Sequence, residues 1–188
     1  MLRWFKERRE TKRIAHELYG SIVTHARMPA LYTDCGVPDT LEGRFEMLVA
    51  HMFLVLERMK SEGEAVKPLG RAVVETFFAD MDGSMRELGV GDLTVPKKIR
   101  KAADGFYGRL TAYAEAVAAG DERGLAAALA RNVWSSEAPA GSDDRALARY
   151  MLAAHRQLAD TDWSEIAAGR LGLPGPTSSD NGGRAGEA

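Results

Sequence analysis

One cysteine, Cys35, stands among 188 residues. No disulfide can form within the chain, and a reducing compartment is the expectation. Long apolar runs are missing too. The richest stretch, Met47–Leu56 (MLVAHMFLVL), is closed in by Arg44 and Glu46 before it and by Glu57, Arg58 and Lys60 after it. A membrane span needs about 20 apolar residues, so this stretch reads as a helix buried in a water-soluble fold. No apolar segment follows the charged N-terminus, so a secretory signal is not indicated. Glu7 and Glu10 interrupt the acid-poor pattern of a transit peptide. Cytoplasmic placement is the expectation. Alternating strand patterns are scarce, and no internal repeat is visible.

What remains is apolar periodicity of one kind. With 45% hydrophobic and 28% charged residues, the composition is that of a globular chain. Ile14, Leu18 and Ile22 mark a first helix from near Phe5 to Arg27, stopped by Pro29. Asp39 and Glu42 have capping-box spacing ahead of a second helix with Leu41, Phe45, Leu48, Met52, Leu56 and Met59 on one stripe. Pro68 opens a third helix, with Leu69, Val73, Phe77, Met81 and Leu88 inward, broken at Gly89 and Gly91. Thr94 is placed to cap a fourth, carrying Val95, Ile99, Phe106, Leu110, Tyr113 and Val117. Shorter helices follow over 122–134, around Leu147–Leu158 and, after Asp162, around Trp163–Arg170. The fold class is therefore all-α: one compact domain of six to seven helices over residues 1–171. Residues 172–188, rich in Gly, Pro and Ser, read as a disordered tail.

Chemistry-bearing patterns are thin. His51 sits inside the apolar run with no cysteine, carboxylate or second histidine at metal-ligand spacing, so a core histidine donating to a carbonyl is preferred to a ligand. GVGDLTVPKK (89–98) follows a helix and lacks the glycine spacing and Lys-Ser/Thr pair of a phosphate loop; a helix C-cap, a turn and a new N-cap account for it. Glu75, Asp80 and Asp82 form the best carboxylate cluster, of the kind that holds magnesium-diphosphate on aspartate-rich helices. No second acidic motif faces them, and solvated acids are preferred. No Ser-His-Asp or Cys-His set is suggested. Catalytic residues, metal and cofactor are all expected to be none.

Charge is informative in its placement. The net charge is −2, yet residues 1–13 hold six cations against two acids, so that end is +4 and the remainder −6. Arg3, Trp4, Phe5, Lys6, Arg8 and Arg9 are the candidates for facing an anionic membrane or the ribosome. A second basic cluster, Lys97, Lys98, Arg100 and Lys101, follows the apolar corner residues Leu93, Val95 and Pro96. Leu93, Val95, Pro96, Lys97, Lys98 and Arg100 are the candidate partner-binding set. DNA is not an expected partner.

Longer words in the sequence are more specific. LYGSIVTHARMPALYTDCGVPDTLEGRFEMLVAHMFLVLERM, FFADMDGSMRELGVGDLTVPKKIRKAADGFYGRLTAYAEAV and LAAALARNVW together resemble the ubiquinol–cytochrome c chaperone family over about residues 18–170. The most specific pieces are Asp80–Asp92 and Phe106–Tyr113. The resemblance implies a helical, non-enzymatic assembly factor for respiratory complex III that holds newly made cytochrome b. Mitochondrial relatives act with a small partner protein near the ribosomal exit tunnel and carry a long targeting extension. This chain does not show that extension, which makes a bacterial member the expectation. A chaperone for an apolar client needs adaptable apolar surface, and Met47, Met52, Met59, Met81 and Met85 would serve it if they lined a groove; core filling is their plainer role. The competing expectation is a helical adaptor that binds RNA, the ribosome or anionic membrane through its basic patches.

Overall fold

The computed structural model describes residues 2–134 and 145–176, with side chains from Phe5 onward. Among the described residues every regular element is a helix. α1 spans Leu2–Ala26, α2 Pro29–Thr33, α3 Leu41–Lys60, α4 Lys67–Glu87, α5 Val95–Ala118, α6 Glu122–Val133, α7 Ala146–Asp160 and α8 Trp163–Ala167; a 3₁₀ turn, Glu64–Val66, precedes α4. Six of these are long, matching the expected all-α class.

α3 is the central helix. The apolar run, too short for a membrane span, becomes its middle: Met47, Val49, Ala50, His51, Met52, Phe53, Leu54 and Val55 are all buried. A helix apolar all round must be covered on every side, and α1, α4, α5, α6 and α7 all pack on it. Each large side chain so buried contributes about 1.5–3 kcal/mol by removing apolar area from water. No described helix is long and apolar enough to cross a membrane.

Phe77 of α4 centres an aromatic cluster, with ring centroids 6.4 Å from Tyr19, 6.3 Å from Phe45 and 5.2 Å from Phe106. This cluster joins α1, α3, α4 and α5. On the other side, Arg58 of α3 reaches the C-terminal end of α7. Its Nε donates to the Leu158 carbonyl at 2.8 Å and its Nη2 to the Thr161 carbonyl at 3.2 Å. A cation at a helix C-terminus meets orphan carbonyls and the negative end of the dipole together.

Helix entries differ from the expected caps by small shifts. Thr40, not Asp39, caps α3, accepting from the Gly43 amide at 3.1 Å; Asp39 instead pairs with Arg44 at 2.7 Å. Thr94 makes no side-chain cap at α5. Asp162 does cap α8, accepting from Ser164 N at 2.7 Å, while Glu165 turns to Arg170. Leu173, placed in the tail by composition, packs against the core next to buried Leu171. Residues 135–144, which fall between two of the expected helices, and 177–188, within the expected tail, lie outside the described residues.

Candidate functional site

The α4–α5 corner is built by two backbone devices. At the end of α4, Gly89 takes φ +79°, Gly89 N donates to Arg86 O at 2.9 Å and Val90 N to Met85 O at 3.0 Å. This left-handed glycine stop closes the helix and satisfies its last carbonyls. Gly91 O then accepts from Thr94 N at 2.8 Å and Val95 N at 3.2 Å, which starts α5. Arg86 brackets the turn from outside: its Nε donates to Asp82 at 2.6 Å, and its Nη1 pairs with Asp92 across the corner. The Arg86 hydrogen bond holds the Asp82 carboxyl below its usual range.

Apolar side chains stand in water at this corner. Leu93, at the tip, is 97% exposed, and Leu88, at the α4 C-cap, is 66% exposed. Pro96, Lys97, Lys98, Arg100 and Lys101 lie beside them; Pro96, Lys97, Lys98, Arg100 and Lys101 are all exposed. Exposed large leucines next to four cations form a surface suited to an apolar partner with acidic flanks. Val95 does not belong to it. It is fully buried, because its place on the stripe with Ile99 and Phe106 turns it inward as soon as α5 begins. Leu88, expected on the inward stripe, is the reverse case: it sits at the C-cap, where the chain is already leaving the helix. Leu41, also expected inward, is 66% exposed at the first turn of α3.

The methionines take the plainer of their two roles and fill the core rather than line a groove. Met47, Met52 and Met59 are buried, Met81 packs against the core, and Met85 is half-buried on α4. The carboxylates Glu75, Asp80 and Asp82 do not converge. Asp80 accepts from the Tyr19 hydroxyl at 2.7 Å, Asp82 is held by Arg86, and among the described residues no three metal-ligating side chains gather.

His51 is fully engaged in the core. Nδ1 lies 2.7 Å from the Met47 carbonyl and Nε2 2.7 Å from the Tyr150 hydroxyl. The carbonyl can only accept, so Nδ1 carries the proton and Nε2 accepts from Tyr150. Burial pushes the imidazole down to about 4, which keeps it neutral, and neither nitrogen has a lone pair left for a metal. A second buried polar contact was not anticipated from sequence. Glu46, 5% exposed, takes a two-pronged grip from Arg109, with Nε and Nη2 at 2.8 and 2.6 Å. Gly105 leaves room for it, since a Cβ there would stand 2.7 Å from the Arg109 guanidinium. Its signal lay in the spacing of Glu46 to Val49, Ala50 and Phe53 on one helix face, but the partner is 63 residues away. On the basic end, Phe5 is 53% exposed and Lys6, Arg8 and Arg9 are exposed on α1. The side chains of Arg3 and Trp4 lie outside the described residues.

The two most specific sequence words therefore do structural work at identifiable places: Asp80–Asp92 forms the bracketed corner, and Phe106–Tyr113 supplies the aromatic cluster and the Arg109 grip. Comparison with known proteins agrees. The profile of the family described as Ubiquinol-cytochrome C chaperone matches residues 33–173. The chain belongs to the ubiquinol–cytochrome c chaperone family. In Xenopus laevis, ubiquinol-cytochrome-c reductase complex assembly factor 1 is 30% identical over 123 residues, covering 65% of this chain and 61% of that protein. The Homo sapiens assembly factor 1 is 30% identical over 121 residues, 64% of this chain and 40% of its own length. This chain thus spans between about two fifths and three fifths of those relatives. The crystal structure of the Cbp3 homolog from Brucella abortus superposes with a TM-score of 0.77 at 40% identity, covering 89% of this chain and 93% of that one. The family match encloses the whole α4–α5 corner, whereas the basic first turns of α1 precede it.

Proposed function

We propose that this chain is a non-enzymatic chaperone that holds newly made cytochrome b during assembly of ubiquinol–cytochrome c reductase, and that it grips its client at the α4–α5 corner. Membership in a family of complex III assembly factors supports the process. One observation carries the surface: Leu93 is almost wholly exposed on a corner closed by backbone hydrogen bonds and linked to α4 by the Arg86–Asp92 pair. An apolar side chain held in water by a rigid turn loses little freedom when it docks, so more of its burial counts toward binding. The cations Lys97, Lys98 and Arg100 flank it and would meet acidic or headgroup-proximal parts of a membrane-protein client. No step of turnover is required, because the task is to shield apolar surface until the client is passed on. Cytoplasmic action beside the membrane is the location we assign to it.

The experiment is complementation of a deletion strain with Leu88→Asp/Leu93→Asp. Both positions are exposed, so the melting temperature of the purified variant should match wild type, while cytochrome b and assembled complex III should fall. Normal cytochrome b and intact complex III in the deletion strain itself would reject the assembly role. Loss in the deletion strain but full rescue by the double variant would reject the corner alone.

A further inference from the structure

Charge on the first half of α1 is sorted by helix face. Phe5, Arg8, Arg9, Lys12 and His16 recur at steps of three and four, so they share one side of the helix. No acid falls on that side. Glu10 and Glu17 lie on another, where they hold Arg13 between them, each at 2.5 Å. From Phe5 to Arg13 the side chains are exposed apart from half-buried Thr11, and full burial begins only at Ala15. The segment thus extends about 15 Å beyond the first buried turn, at 1.5 Å per residue. Among the described residues, a shallow furrow beside it is lined by Phe5, Lys6, Arg9, Glu10 and Arg13. Because the helix is exposed around its circumference from Phe5 to Arg13, its basic face is the convex side of a rod, with a half-exposed phenyl ring among its cations.

We propose that this face of α1 lies flat on an anionic lipid bilayer, with Phe5 entering the headgroup boundary and Arg8, Arg9 and Lys12 meeting the phosphates. Charge complementarity and shape select the occupant. A single-stranded nucleic acid is gripped in a concave basic groove with aromatic platforms, whereas a convex helix with a cationic face and an aromatic side chain suits a plane. The contact is weak and reversible, as expected of a polybasic helix without a second anchor. It uses a different element from the α4–α5 corner, so it stands or falls without any client.

The test is flotation of the purified full-length chain with phosphatidylcholine vesicles, with and without phosphatidylglycerol. The chain should float with the anionic vesicles only, and added salt should release it. Each cation near the surface contributes about fivefold to partitioning, so Arg8→Gln, Arg9→Gln and Lys12→Gln together should lower it about 100-fold with unchanged helicity by circular dichroism. Phe5→Ser should weaken it further. Equal flotation with neutral vesicles, no flotation at all, or an unaltered triple variant would overturn the proposal. So would tighter binding to poly(U) than to the anionic vesicles, which would assign the face to RNA instead.

Discussion

At the scale of single residues, two buried tyrosines make opposite predictions. Tyr150 donates to His51, so Tyr150→Phe leaves the imidazole nitrogen buried and unpaired and should destabilise by about 1–3 kcal/mol. The Tyr113 hydroxyl is buried and makes no close hydrogen bond among the described residues. Tyr113→Phe removes an unsatisfied group while keeping the ring on Phe53, and should be neutral or stabilising by up to about 1 kcal/mol. Denaturant titration of the two variants checks the contrast. His51 adds a pH dependence. Its folded value, about 4, lies below the ordinary histidine value of 6.5, so between these limits the unfolded chain binds the extra proton. Its contribution is complete above about pH 6.5 and drains away as the pH falls toward 4, by about 3 kcal/mol in all. Unfolding midpoints measured across that window should fall in wild type and flatten in His51→Gln, which is also less stable at neutral pH.

At the scale of elements, Gly43 fixes the entry to α3. A Cβ there would stand 2.0 Å from the Pro38 carbonyl oxygen, a clash with backbone that no rotamer relieves. Gly43→Ala should destabilise by about 1–3 kcal/mol, as overpacking does, and a control at open Gly20, where nothing lies within 4 Å, should not share this steric cost; differential scanning calorimetry separates them. Such close approaches were invisible in the sequence, because Pro38 and Gly43 meet only after the chain turns. The helices themselves were legible: periodic apolar stripes and the prolines at Pro29 and Pro68 placed six long elements correctly. Boundaries were less so. Thr40 displaced Asp39 as the cap by one residue, and Leu88 turned outward because stripe membership fails at a helix end, where the chain leaves the helical path; Val95 kept to its stripe and so dropped out of the partner-binding set. The Glu46–Arg109 grip and the His51–Tyr150 contact needed the tertiary fold, since each joins residues far apart in the chain.

At the scale of the whole molecule, the fold is a helical shell around one apolar helix, with its candidate working surfaces at two extremities. The core absorbs the methionines of the central run, its histidine and most of the aromatic rings. What it leaves in water is a corner tipped with leucine and a basic helix end. The buried polar residues Glu46 and His51 are held by Arg109 and Tyr150, pairs that fix helices in register. Separate surfaces for client and bilayer would let the two contacts be lost independently: neutralising α1 should delocalise the protein while client capture at the corner persists, a division that fractionation alongside co-purification can read out. The most direct measurement replaces Leu93 with a photo-crosslinking amino acid in cells, with Glu75 on the exposed face of α4 as the reference position. The account predicts a cytochrome b adduct from position 93 that is much weaker from position 75. Cytochrome b adducts of equal yield at both positions, or none at 93 while the protein remains folded and functional, would contradict it.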